Sequence, residues 1–210
     1  MHPTYRIGRR IPYRHPMKIR PANSSDINWI CNLLVEGANS GHFLPSVANQ
    51  AKTLSTSIIN DGYIRMLKLR YGSQTPTVIK ATAKVAEIDD SPASFLITLT
   101  DNQEIELHLS ATRKQFRKRG CMKALVQDEL NTYATSGKRI YSRCYPKSTW
   151  AISTFKKLGF EISNRGNPIE LDYKSSNTNT HTTTTIQSLS HSEQITTSRL
   201  KRFMSWLKRN

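Results

Sequence analysis

Six basic side chains and no acid lie within residues 113–123. Apolar residues recur at helical spacing after Gly120, so this basic run is predicted to be a loop that opens a helix over about 120–134. A helix N-terminus presents unpaired backbone N–H groups and a partial positive charge, and Gly120 lets the backbone approach a phosphate closely. These features predict a pyrophosphate site, with a solvated basic loop as the alternative. The six residues are Arg113, Lys114, Arg117, Lys118, Arg119 and Lys123.

The segment before this loop alternates polar and apolar residues over positions 104–110. Period two predicts a strand with Glu104, Glu106, His108 and Ser110 on one face and Ile105, Leu107 and Leu109 on the other. A carboxylate or imidazole on such a strand can act as a general base. The alternative is a polar strand face that is simply solvated.

Residues 117–122 resemble the phosphate loop of the GNAT acyltransferase superfamily, Arg/Gln-x-x-Gly-x-Gly/Ala, with Met122 where Gly or Ala is usual. Residues 148–160 resemble a second family motif, Asn-x-x-Ala-x-x-x-Tyr-x-x-x-Gly-Phe. Here Ser148 replaces the Asn and Phe155 replaces the Tyr, while the remaining three positions match. The two motifs stand in the family's order, with one predicted helix and one predicted strand between them.

The resemblance implies a metal-free N-acyltransferase that moves an acetyl group from acetyl-CoA directly to an amine of a protein or small molecule. It also implies strands that part to admit pantetheine. The implied CoA-binding residues are Ser110, Ala111, Thr112, Arg117, Lys118, Arg119, Gly120, Cys121, Met122, Lys123, Ser148 and Phe155.

For catalysis, the resemblance favours Glu106 as the base, with Glu104 and His108 in reserve. The family's general acid is the Tyr of the second motif, and Phe155 has no hydroxyl. Tyr145, Cys144 or Ser148 takes its place, or the thiolate leaves unaided, because a thiol pKa of about 8.5 makes it a tolerable leaving group. The competing interpretation is a non-catalytic GNAT-like module that binds a membrane or nucleic acid through basic tails.

The predicted elements that position these residues alternate hairpins with strand-helix-strand units. This order indicates an α/β class with a single mixed, mostly antiparallel central sheet flanked by helices. The expected organisation is a basic arm over residues 1–16 and the GNAT-like domain over residues 17–173. The domain is expected to be followed by a disordered linker rich in Ser, Thr and Asn over residues 174–198 and by a basic amphipathic helix over residues 199–210.

The net charge of +16 is concentrated at the two ends of the chain. Residues 1–20 hold six Lys or Arg and residues 199–210 hold five, without an acid in either. This distribution favours an anionic membrane surface or nucleic acid as a partner of the tails. The three cysteines have no metal-ligand spacing, and neither a secretory leader nor a spanning apolar run is evident. We therefore expect a cytoplasmic protein, with membrane association through residues 199–210.

Overall fold

The computed structural model describes residues 17–66 and 77–174. The predicted basic arm, the predicted C-terminal helix and all but the first residue of the predicted linker lie outside the described residues. So does the second half of a strand predicted over residues 63–71.

In the described part of the chain, eight strands form one sheet in the order β1-β3-β4-β5-β6-β8-β7, with β2 paired to the first four residues of β3. All described pairs are antiparallel except β5 with β6. The predicted mixed, mostly antiparallel sheet is therefore confirmed. The strands are β1 Met17–Pro21, β2 Tyr63–Met66, β3 Thr77–Ile88, β4 Ser91–Thr100, β5 Glu104–Thr112, β6 Arg139–Cys144, β7 Phe160–Asn164 and β8 Ile169–Tyr173.

Within residues 17–66 and 77–174, four α-helices cover the two faces of this sheet: α1 Ile27–Asn39, α2 Ser46–Thr56, α3 Cys121–Tyr133 and α4 Thr149–Lys157. One core cluster joins α1 and α2 to the sheet through Ile30, Ala51 and Phe95. A second cluster joins α3 and α4 to the sheet through Leu125 and Phe155. No helix among the described residues is long and apolar enough to cross a membrane.

A β-bulge in β5 corrects the predicted alternation of this strand. Ile97 of β4 pairs with Leu109, but the next residue, Thr98, pairs with Leu107, so His108 is the extra residue. Leu107 consequently belongs to the core cluster under α3 and Leu109 to the cluster under α1. Leu109 therefore does not share a face with Leu107, because an inserted residue shifts the alternation of faces by one.

Ser110 changes face for the same reason. It pairs with Leu96, which packs in the α3 cluster, whereas Glu106 pairs with Leu99, which packs in the α1 cluster. Directly opposed residues of an antiparallel pair share a face. The predicted common face of Glu106 and Ser110 is therefore wrong.

Strands β5 and β6 part shortly after they begin. Their parallel pairing covers only Glu104 to Glu106 on β5 and Arg139 to Tyr141 on β6, although both strands continue beyond. The hydroxyl of Ser142 donates a hydrogen bond of 2.8 Å to the carbonyl oxygen of Leu107, the residue after the last paired position. Beyond Leu107 on β5 and Ser142 on β6 the two strands are not paired, and we call the space between them the gap.

Candidate functional site

The basic loop, residues 113–120, joins β5 to α3 at one bank of the gap. Its backbone turns at two left-handed residues, Lys118 with φ 63° and Gly120 with φ 85°. A Cβ on Gly120 would meet no atom within 4 Å, so this glycine is required for its backbone angle rather than for space. The resulting turn starts α3 directly at Cys121.

The N-terminus of α3 leaves backbone donors without helical acceptors at this loop. The N–H of Ala124 donates to the carbonyl oxygen of Gly120 at 3.0 Å, which is the first bond of the helical series. The N–H groups of Cys121, Met122 and Lys123 have no acceptor in the preceding turn. Three adjacent amides beside basic side chains are suited to bind an anion such as a diphosphate.

The side chain of Arg117 is held at the edge of the gap by two contacts. Its Nε donates to the carbonyl oxygen of Thr112 at 3.2 Å, and its Nη2 lies 3.2 Å from the carboxylate of Glu36 on α1. Both charged side chains are more than half exposed, so this ion pair is weak. Arg113 is held differently, with its guanidinium 4.7 Å from the ring centroid of Trp29.

The edge of β5 that faces the gap carries backbone groups available to a ligand. Arg113 N–H donates to Ala93 on β4, and the Ala111 carbonyl accepts from Ser94 Oγ at 2.9 Å, so these two residues direct their polar groups to β4. Polar groups alternate along a strand, so those of Ser110 and Thr112 point into the gap, where the Thr112 carbonyl already accepts from Arg117 Nε. Beyond the parting of β5 and β6, an amide-containing chain can pair with them.

Glu106 is buried, with 2% of its surface exposed, at the place where the two strands part. Its Oε1 lies 2.7 Å from His108 Nδ1 and accepts from Arg143 Nη2 at 2.8 Å. Its Oε2 accepts from the Tyr141 hydroxyl at 3.0 Å. Burial alone would raise the pKa of Glu106, but His108 and Arg143 outweigh it and lower the pKa to about 2. This carboxylate therefore stays ionised and fully engaged at neutral pH.

His108 is the more accessible member of this pair. Its side chain is 20% exposed, and the Glu106 carboxylate, as a permanent acceptor, favours the tautomer with its proton on Nδ1. That assignment leaves Nε2 with a lone pair. A buried carboxylate that orients an imidazole in this way is an arrangement suited to general-base chemistry.

Glu104, the other reserve base, lies in a separate network. Its Oε1 accepts from Arg139 Nη1 at 3.0 Å, and the same guanidinium contacts Glu170 and Asp172 on β8. Both Glu104 and Glu106 are buried rather than solvated, because arginines of the neighbouring strand neutralise them.

The opposite bank of the gap consists of β6 and the turn that leads into α4. The Ser148 hydroxyl, just before α4, lies 3.0 Å from Nδ1 of His42 in the loop between α1 and α2. Tyr145 is half-buried, and its carbonyl accepts from the Ser148 N–H at 2.8 Å. Burial raises the pKa of the Cys144 thiol to about 11.

Phe155, at the position of the family's Tyr, packs in the core of the α3 and α4 side. It is 2% exposed, and its ring meets Phe160 edge to face at a centroid distance of 4.9 Å. In this position it supports α4 and has no group that exchanges protons.

Four polar residues of this region were not predicted from the sequence: Glu36, His42, Tyr141 and Arg143. The alternation of Arg139, Tyr141 and Arg143 along β6 is a signal that could have paired them with the acids of β5. No comparable signal marks Glu36 or His42, because Glu36 lies on α1 and His42 in the loop that follows α1, both far in sequence from β5 and β6.

No family model and no curated protein matches the sequence. Solved structures do match. The PaiA N-acetyltransferase from Thermoplasma acidophilum, in complex with coenzyme A, aligns with TM-score 0.57 and 11% identity over 76% of this chain and 99% of that chain. AAC(6')-Ib in complex with ribostamycin and coenzyme A aligns with TM-score 0.52 and 12% identity over 75% and 92%.

A GCN5-related N-acetyltransferase from Kribbella flavida aligns with TM-score 0.51 and 17% identity over 74% of this chain and 94% of that chain. These likenesses establish the architecture. The chain has the GNAT fold, as the two sequence motifs implied.

Proposed function

We propose that the protein is an acyl-CoA-dependent N-acyltransferase that transfers an acetyl group from acetyl-CoA to an amine. The observation that carries the proposal is the gap between β5 and β6, because it brings an open strand edge and the N-terminus of α3 to the same end of the sheet. Neither feature alone would define a site. Their combination matches a ligand with a diphosphate and an amide-containing arm.

Two groups of coenzyme A have candidate partners among the described residues. The N–H groups of residues 121–123 and the side chains of the basic loop, residues 113–120, suit the diphosphate. The backbone N–H and carbonyl of Ser110 and the N–H of Thr112, which face the gap, suit the pantetheine amides. Acetyl-CoA would supply an acyl group activated as a thioester. The chain's own residues then have to orient the amine and move its protons.

His108 and Glu106 divide the role of base in this proposal. The imidazole Nε2 takes the proton of the attacking amine, while the Glu106 carboxylate holds Nδ1–H and stabilises the imidazolium that forms. Glu106 acts through His108, since its own oxygens are occupied by Tyr141 and Arg143 and its pKa of about 2 makes it a weak base. The acceptor is an amine of a small molecule or of a protein side chain.

Calorimetric titration with CoA tests the cofactor part of the proposal. Arg117→Ala should weaken binding by roughly tenfold or more, because a hydrogen bond to a charged group contributes about 1.5–3 kcal/mol. Lys52→Gln, the same charge change at an exposed position of α2, should leave the dissociation constant within about twofold. If wild-type protein takes up no CoA at millimolar concentration, the proposal fails. Binding without acyl transfer would instead support the non-catalytic module.

A further inference from the structure

The loop between α1 and α2 is shaped to deliver His42 to the far bank of the gap. The backbone N–H groups of His42 and Phe43 both donate to the carbonyl oxygen of Gly37, at 2.8 and 3.2 Å. A Cβ on Gly37 would lie 2.3 Å from the Phe43 ring, so a glycine is needed for that ring to fold back onto α1. The loop is thereby fixed in the conformation that places His42 Nδ1 3.0 Å from Ser148 Oγ.

The His42–Ser148 pair lies across the gap from the basic loop, residues 113–120. Ser148 follows β6 as that loop follows β5, and the carboxyl ends of two parallel strands lie at the same edge of a sheet. The Ser148 side chain does not cap α4, although it stands at the N-cap position. Its hydroxyl is instead directed to a ring nitrogen of His42, which can either donate or accept a proton.

Resting on the proposed function, we propose that Ser148 gives its hydroxyl proton to the leaving sulfur of the acyl donor and that His42 replaces that proton. The nitrogen–carbon bond of the amide forms, and the carbon–sulfur bond breaks with its electron pair going to sulfur. Sulfur takes the proton of Ser148 Oγ, and Oγ takes a proton from Nδ1 of the His42 imidazolium. The amine's proton goes to His108 Nε2, and both imidazoles re-equilibrate with water.

Two other groups on this bank, Phe155 and Cys144, are less suited to the same step. Phe155 has no hydroxyl and is buried against Phe160. The Cys144 thiol is buried, only 6% exposed, and its neighbour is the hydroxyl of Ser142 at 4.0 Å. Ser148 has both partial exposure and a second proton-carrying group in contact with it.

A binding cycle tests whether Ser148 reaches the sulfur. Dissociation constants for CoA and for desulfo-CoA are measured by calorimetry on wild type, Ser148→Ala and His42→Asn. The wild type should bind CoA several-fold more tightly than desulfo-CoA, and Ser148→Ala should reduce that ratio to near one. Ser148→Thr should restore the preference, and Thr149→Ala, the loss of an exposed hydroxyl at the next position, should leave it unchanged. A ratio that is the same in wild type and Ser148→Ala would overturn the proposal.

The kinetic counterpart uses acetyl-CoA with a lysine peptide or ribostamycin as acceptor and follows CoA release above that of a protein-free control. Ser148→Ala and His42→Asn should each lower kcat by about 10²-fold with KM for acetyl-CoA within twofold, because proton donation acts on the chemical step. Unchanged kcat in both variants, or an acetylated Ser148 detected by mass spectrometry, would overturn the relay while leaving the acyltransferase intact. No CoA release by wild type with any acceptor would refute the proposed function itself.

Discussion

Replacing the Glu106 carboxylate should change how the stability of the protein depends on pH. Its pKa in the folded state is about 2, against an ordinary value of 4.5. A lowered folded-state pKa means that the ionised group stabilises the fold above pH 4.5 and that this contribution is lost as the pH falls toward 2. The difference of about 2.5 units corresponds to about 3 kcal/mol at pH 7 and about 1.4 kcal/mol at pH 3.

Glu106→Gln removes this titration while retaining the shape of the side chain. The free energy of unfolding is measured by urea denaturation of wild type and variant at pH values from 7 to 3. The stability advantage of wild type should shrink by about 2 kcal/mol over that range. Glu161→Gln, on the exposed edge strand β7, is the matched control, and its curve should run parallel to that of wild type.

A constant difference between wild type and Glu106→Gln across the pH range would refute the argument. It would mean that His108 and Arg143 do not hold the carboxylate ionised in the folded protein. The assignment of Glu106 as the group that orients His108 would then lose its electrostatic basis.

Two further substitutions test a buried carboxylate on α3 and the packing of the loop after α1. Glu129 is 1% exposed on α3, where burial raises its pKa even though Lys84 lies 3.1 Å away. A group whose pKa is raised in the folded state destabilises the fold as the pH rises through that pKa. Glu129→Gln should therefore be more stable than wild type at pH 8 and lose that advantage at pH 4. Equal urea midpoints for the two proteins at pH 8 would contradict this. Gly37→Ala should lower the free energy of unfolding by about 1–3 kcal/mol, measured with urea, because the added Cβ would overlap the Phe43 ring. An unchanged free energy of unfolding would show that the ring moves without cost.

Much of the sheet could be predicted because local signals coincide with its boundaries. The β3 strand, Thr77–Ile88, coincides with a stretch rich in β-branched residues, and Asp89 and Asp90, which follow it in an Asp-Asp-Ser-Pro turn signal, adopt left-handed angles in the hairpin to β4. The start of α3 was predicted within one residue of Cys121, because Gly120 separates a basic loop from an apolar helical stripe. In each case the information lies within a few neighbouring residues.

The environment of Glu106 could not be predicted from its own strand. Alternation identified it as a polar position, and such a position is ordinarily solvated. It is buried because the parallel register of β5 with β6 brings Tyr141 and Arg143 to it from 35 and 37 residues away. A register between distant strands is not encoded in the local pattern of either one.

The bulge at His108 gives a physical reason why the gap opens where it does. Pairing of β5 with β6 ends at Glu106, and the inserted residue follows within two positions. A bulge bends its strand and increases the local twist, so β5 is directed away from β6 beyond this point. The alternation of polar and apolar residues over positions 104–110 continues through the bulge, so the sequence pattern gives no sign of it. The gap is therefore a property of the strand itself, present before any ligand enters, and the same inserted residue supplies the imidazole beside it.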